Sequence, residues 1–246
     1  MDSSMESLPT DSAEATPLGD LRAERWSTSD WREWMTSTPA HRVAPVMLGW
    51  VLDSVVGGRT TALRITEVEA YDQSEPAAHT FRGPTPRTSS MFDRAGTLYV
   101  YRSYGLHWCA NVVTGEVGHG SAVLLRAGVP VAGADVMAER RGVARPQTGA
   151  HPRPRPLAGG RPRPLAGGPG MLTQALGVDG GHDGVDLFAG GELRLRPGAG
   201  RMAHRVTPRV GISKAVELPW RFVAVDGQGT GVSSGDHDSS APPPDP

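Results

Sequence analysis

Residues 60–71, TTALRITEVEAY, concentrate the Thr, Ile and Val that suit a pleated surface, and predict a strand. Two further runs, LYVYRS (98–103) and HWCANVV (107–113), are separated only by Tyr104-Gly105-Leu106. They predict a hairpin with Tyr104 at its tip. SAVLLRAGVPV (121–131) is almost continuously apolar, as expected of a buried strand, while GGELRLRPG (190–198) and WRFVAV (220–225) read as shorter strands. GGPGMLTQALGVD (167–179) has the composition of a short helix closed by glycine. Thr38 to Leu52 opens with helix-start chemistry and ends in an apolar run suited to a strand. Many short strands with few helices predict an α+β fold: a single domain on a curved, largely antiparallel sheet flanked by helices, with a protruding β-hairpin.

Composition divides the chain further. Hydrophobic residues make up 38% of the 246, and 32 Gly and 22 Pro accompany them, the mixture of a globular domain carrying flexible segments. Residues 1–20 and 227–246 lack apolar periodicity and are expected to be disordered tails, leaving a domain at 21–226. Within it, 140–170 is rich in Pro, Arg and Gly and contains RPRPLAGG twice in tandem, at 153–160 and 161–168. So short a duplication reads as an insertion in a surface loop. No window approaches eighteen apolar residues and the first residues are acidic and polar, so neither a membrane span nor a secretory signal is expected. A cytoplasmic, nucleoid-associated monomer follows as the expectation. Cys109, the one cysteine, excludes an intrachain disulfide and reads as small core filler, and the eight His residues show no ligand spacing. No metal and no cofactor are expected.

The net charge of −1 conceals a division. Eight of the 26 acids lie in the two tails, which hold no Lys or Arg, so residues 21–226 carry an excess of about seven positive charges. All but one of the 25 bases are Arg, the exception being Lys214. Arg grips phosphates and stacks on bases, although a G- and C-rich genome gives the same bias, so the charge permits a nucleic-acid partner without requiring one.

The chemistry gathers around tyrosine. Of four in the chain, Tyr99, Tyr101 and Tyr104 fall in the hairpin, and Tyr71 ends the first strand. Period 2 places Tyr99 and Tyr101 on one face with Val100 opposite, and puts Glu69 beside Tyr71. His79 follows in the loop SEPAAHTFRG. Two tyrosines on a strand face are ordinarily half-buried packing, but a carboxylate, several rings and an imidazole together suit a pocket for an unstacked nucleobase.

These residues sit in fragments that resemble the 3-methyladenine DNA glycosylases of the alkyladenine type. The fragments are EVEAY (67–71), AAH (77–79), TPR (85–87), MF (91–92), GTLYVYRSYGLHWCANVV (96–113), AVLLRA (122–127), GPGMLTQALGVD (168–179) and RVGI (209–212). They run in order from about Ala44 to Val225. The resemblance implies that Glu69 activates the water that attacks the sugar C1′, that Arg126 helps to hold it, and that the backbone carbonyl of Val210 does so too. A carboxylate suits that task, since it accepts a proton and its charge favours an oxocarbenium-like sugar. Tyr71, His79 and Tyr101 correspond to the family's base pocket, Asn111 to the residue that crowds the amino group of guanine, and Tyr104 to the wedge that fills the gap left by a flipped nucleotide.

The implied partner is double-stranded DNA containing alkylated purines, and the implied product an abasic site. A bifunctional enzyme needs an amine nucleophile, and Lys214 does not stand at the matching position, so water is expected to attack. Two other readings compete. A binding module for damaged nucleic acid would keep the rings yet have no need of Glu69 and Arg126. The RNA-binding C-terminal domain of methionyl-tRNA formyltransferase, thought to share the architecture, has no reason to keep EAY together with YVYRSYG.

Overall fold

The structure, a computed structural model, describes residues 26–143, 164–198 and 200–225. Both acidic tails and the first RPRPLAGG copy lie outside the described residues. Eight strands form one antiparallel sheet: β1 (Val51–Ser54), β2 (Thr61–Asp72), β3 (Leu98–Ser103), β4 (His107–Val113), β5 (Ser121–Ala132), β6 (Leu193–Arg196), β7 (His204–Thr207) and β8 (Arg221–Ala224). The order is β3-β4-β5-β2-β1-β6, and β8 joins β2 beyond the end of β1, carrying β7 on its outer edge. Two strands thus share one edge of β2, and the sheet curls into a half-barrel. Helices α1 (Thr28–Ser37), α2 (Ala40–Val46), α3 (Ala134–Arg140) and α4 (Pro169–Leu176) complete the α+β domain. No helix among the described residues is long and apolar enough to cross a membrane.

The two faces of the sheet differ. One carries the main core, in which Leu63, Ile65, Val100, Ala110, Val112, Val123 and Leu125 pack with Met35, Val43 and Leu172 of the helices and with Met47, which caps α2. The other has only a small cluster of Met91, Tyr99, Val113 and Ala122, and is left to polar side chains and loops. Strand β2 changes phase between these faces. Odd-numbered Leu63 and Ile65 point into the core in its first half, and even-numbered Val68 and Ala70 in its second. The pairing with β5 slips between Ile65 and Glu67 and again between Glu67 and Val68. A bulge of this kind inserts an unpaired residue and so reverses which side chains face which way. It turns Glu67, Glu69 and Tyr71 onto the polar face.

The hairpin of β3 and β4 is in register from Leu98↔Val112 to Ser103↔His107. At its tip Tyr104 and Gly105 both have positive φ, 48° and 69°, and Leu106 N–H donates to Ser103 C=O at 2.9 Å. This is a primed turn, whose twist matches that of the strands. Glycine adopts it freely, whereas a tyrosine at positive φ is held at a cost of about 1–3 kcal/mol. Helix α4 begins at Pro169 and ends at Gly177, φ 75°, as the sequence predicts. Two expectations are adjusted. The apolar run of β5 is buried from Ser121 to Leu125, but Val129 and Val131 are exposed. The end of the Pro/Arg/Gly-rich segment is anchored, because Ala166 is buried in the core and its C=O accepts from Gly128 N–H at 3.0 Å.

Candidate active site

On the polar face lies an open cleft of about 640 Å³. Its walls come from β2 (Tyr71), β3 (Tyr99, Tyr101), β4 (Cys109, Asn111), β5 (Leu124, Arg126), the 76–91 loop with His79, and the 210–214 loop. Alternation along each strand puts these side chains opposite the core.

Glu69 sits behind the wall with 0% exposure. One oxygen accepts from the backbone N–H of Val210 at 2.8 Å and lies 3.2 Å from the Arg126 guanidinium; the other accepts from Tyr71 O–H at 2.9 Å. A buried carboxylate is tolerated only with such partners. Arg126 also donates to Glu67 through Nε at 2.7 Å, and Arg221 donates to the same Glu67 oxygen at 2.7 Å. Two acids and two guanidiniums therefore close a neutral network. Burial works to raise the Glu67 pKa, but hydrogen bonds and charge from Arg221 and Arg126 outweigh it and hold the carboxyl below its ordinary value. Burial likewise opposes the charge on Arg126, and the carboxylates of Glu69 and Glu67 more than restore it. Tyr71 is pushed strongly upward by burial and by the neighbouring Glu69, so its phenol stays protonated as the donor to that carboxylate.

The rings stand where the pattern predicts. Tyr99 and Tyr101 stack with centroids 5.5 Å apart, and the His79 imidazole meets Tyr101 edge-on at 4.6 Å with Nδ1 3.3 Å from Tyr99 O–H. Asn111 is buried in the wall and donates to Tyr99 C=O at 3.2 Å. Tyr104, 89% exposed, forms the rim. Cys109 is buried as expected of a filler but forms part of the cleft wall, and burial pushes its thiol up. Val210 reaches Glu69 through its N–H, a contact additional to the carbonyl role implied by the resemblance. Among the described residues no group of three metal-ligating side chains occurs.

Several residues of the site have no counterpart in the sequence analysis. Glu67 shares the phase of Glu69. Arg209, adjacent to Val210, has a fully buried side chain and makes two bonds to Glu75, at 2.6 and 2.9 Å. It also donates to Ala70 C=O at 2.9 Å and Ala215 C=O at 3.3 Å, so one guanidinium joins β2, the His79 loop and the Val210 loop.

Burial, and after it the charge of Arg87, lowers the His79 pKa from its ordinary 6.5. An NMR titration is expected to find its midpoint below 6.5. Folding then suppresses protonation: the stabilisation is complete above the unfolded-state pKa and is lost as pH falls through the depressed folded-state value. A midpoint above that of a free imidazole would contradict it.

A curled sheet presents an aromatic cleft with a buried carboxylate behind it, and the comparison with known proteins supplies the class of enzyme and the family. Residues 34–228 match the family described as Methylpurine-DNA glycosylase (MPG). A protein of Rhodopseudomonas palustris (strain BisB18), named "Putative 3-methyladenine DNA glycosylase", is 46% identical over 183 residues, 74% of this chain and 80% of its own. Proteins of the same name from Methanoculleus marisnigri and Frankia casuarinae are 48% and 42% identical, spanning 66% and 75% of this chain and 79% and 84% of theirs. The chain belongs to the methylpurine-DNA glycosylase family.

Proposed function

We propose that the protein flips alkylated purines, 3-methyladenine and 7-methylguanine together with hypoxanthine or ethenoadenine, out of duplex DNA and hydrolyses their N-glycosidic bond, leaving an abasic site. The observation that carries this reading is Glu69: a carboxylate buried with three donors, directly behind an aromatic cleft whose rim bears an exposed tyrosine. Burial of a carboxylate at such structural cost is intelligible when its charge serves a transition state. The carboxylate takes the proton of a water held by Arg126 and the Val210 carbonyl, the water oxygen bonds to C1′, and the bonding pair leaves with the base. Tyr71, His79 and Tyr101 hold the extruded base by stacking, which returns the energy of unstacking it. Asn111 in the wall crowds the amino group of guanine. Lys214, the chain's one amine side chain, lines the cleft from the 210–214 loop but is exposed, whereas the group held by three donors behind the cleft is a carboxylate, which supports hydrolysis without a lyase step. Wedge, pocket and carboxylate all come from one chain, so a monomer suffices.

The test is a duplex with one 7-methylguanine or 3-methyladenine, with abasic sites counted by alkaline cleavage. Base release with strand scission only after alkali is expected. Scission before alkali would remove the hydrolytic assignment, and tight lesion binding without release would make this a binding protein. Tyr104→Ala is expected to weaken lesion-duplex binding and slow excision by about ten- to hundredfold, the order of one base–aromatic stack. Excision from single-stranded DNA, where no gap needs filling, should change far less; equal losses on both substrates would contradict the wedge role.

A further inference from the structure

The cleft is electrostatically one-sided. Among the described residues that line it, Arg87, Arg126 and Lys214 are cationic and none is acidic, since Glu69 lies behind the wall. Arg126 is matched by Glu67 and Glu69, but two other guanidiniums address the stacking rings themselves. The Arg209 Cζ lies 4.6 Å from the centroid of Tyr71 and 5.5 Å from that of Trp220. Arg209 is fully buried and does not line the cleft, so it occupies the face of Tyr71 turned away from the opening. Trp220 in turn stacks on His41 at 5.0 Å, and the column runs from the cleft wall to α2. Also in the cleft lining, the Arg87 Cζ lies 5.8 Å from the Tyr101 centroid.

An aromatic face attracts a cation through its negative quadrupole, and that attraction is partly used once a guanidinium is already on the ring. A positively charged base would stack on two rings each already engaged by a cation, with like charges close by. A neutral base of the same shape keeps its dispersion and area burial and meets no such repulsion. Glu75 pairs with Arg209, yet the member of the pair that stacks on Tyr71 is the guanidinium. Burial is the main cause of the lowered basicity of His79, and the charge of Arg87 adds to it in the same direction.

We propose that Arg209 and Arg87 are specificity-determining residues that bias the cleft toward neutral purine lesions and against positively charged ones, an inference that rests on the base-excision reading above. Charged lesions are still released, because their own charge weakens the glycosidic bond, but they gain less from the pocket.

The test compares 7-methylguanine, a cation, with hypoxanthine, a neutral base, in the same duplex under single turnover. The readout is the enzyme concentration giving half-maximal rate for each lesion. Arg87→Gln changes an exposed side chain, and any lost phosphate contact cancels in the ratio of the two lesions. It is expected to improve 7-methylguanine relative to hypoxanthine by about two- to fivefold, the worth of one ordinary cation–π contact. Arg87→Lys should keep the wild-type ratio. The paired Arg209→Gln/Glu75→Gln protein, which removes both buried charges together, should shift the ratio in the same direction. An unchanged ratio in both variants, a shift toward hypoxanthine, or a wild type that releases 7-methylguanine but no hypoxanthine would each overturn the proposal. Release of neither base by wild type would overturn the base-excision reading, and this inference with it.

Discussion

Glu69→Gln is expected to leave lesion-DNA binding near wild type while base release slows by about 10²- to 10⁴-fold, the range over which a positioned acid–base group contributes. The replacement is nearly isosteric. The Gln carbonyl still accepts from Val210 N–H and Arg126, and its amide donates to the Tyr71 oxygen in place of accepting from it, so the wall should keep its shape. In the proposed mechanism what is lost is the proton acceptor and the negative charge that favours the sugar cation. Single-turnover excision together with gel-shift affinity for the same duplex checks this. Excision at the wild-type rate would remove Glu69 from the mechanism; parallel loss of binding and unfolding would show that the carboxylate is structural.

The largest effect on stability is expected at Arg209. Arg209→Leu strands the Glu75 carboxylate, itself buried, and removes the donors to Ala70 C=O and Ala215 C=O. Breaking a buried ion pair from one side costs about 3–5 kcal/mol, because the remaining charge is left uncompensated. Urea unfolding monitored by tryptophan fluorescence measures it. Replacing both partners, as in Arg209→Gln/Glu75→Gln, should recover much of that loss, since no buried charge is then left alone. The guanidinium is not ideally satisfied even in the native protein, where its Nε finds no hydrogen-bond partner. A loss below about 1 kcal/mol for the single substitution would mean that this hub does not hold the three segments together.

What the sequence discloses about this fold depends on how local each signal is. Strand β2, the β3–β4 hairpin and α4 are legible because propensity, alternation and turn residues agree within a dozen positions. Helix α1 is missing from that reading, although Ser27 and Asp30 form a capping box and Trp31 and Met35, at helical spacing, are buried. Its charged residues and tryptophans mask the apolar stripe. Strand β7, mostly exposed, has no buried alternation to reveal it, and the seven-residue α3 is too short for a clear period.

The same distinction holds at the cleft. Period 2 brings Glu69 to Tyr71 and Tyr99 to Tyr101, while Arg126, His79, Asn111 and Tyr104, named through the family resemblance, lie around them in the cleft lining. Tyr104 is also where local rules fail informatively: a tyrosine stands at a turn position that favours glycine or asparagine. By contrast, the Arg209–Glu75 pair joins residues 134 positions apart, and no spacing rule connects them.

The slip of β2 against β5 makes the division between interior and cleft-facing surface a matter of parity. From Glu67 to Tyr71 odd numbers face the polar side and even numbers the core, and the sense of that assignment is fixed by the slips between Ile65 and Val68. Such a strand accepts exchange of one side chain for another far more readily than a change in its length. Losing one residue near Thr66 would send Val68 and Ala70 toward solvent and aim Glu69 and Tyr71 at the hydrocarbon interior, erasing site and core together. Length variation compatible with activity is therefore confined to the connections between strands, and the central strand forms a fixed ruler along which the reactive groups are spaced.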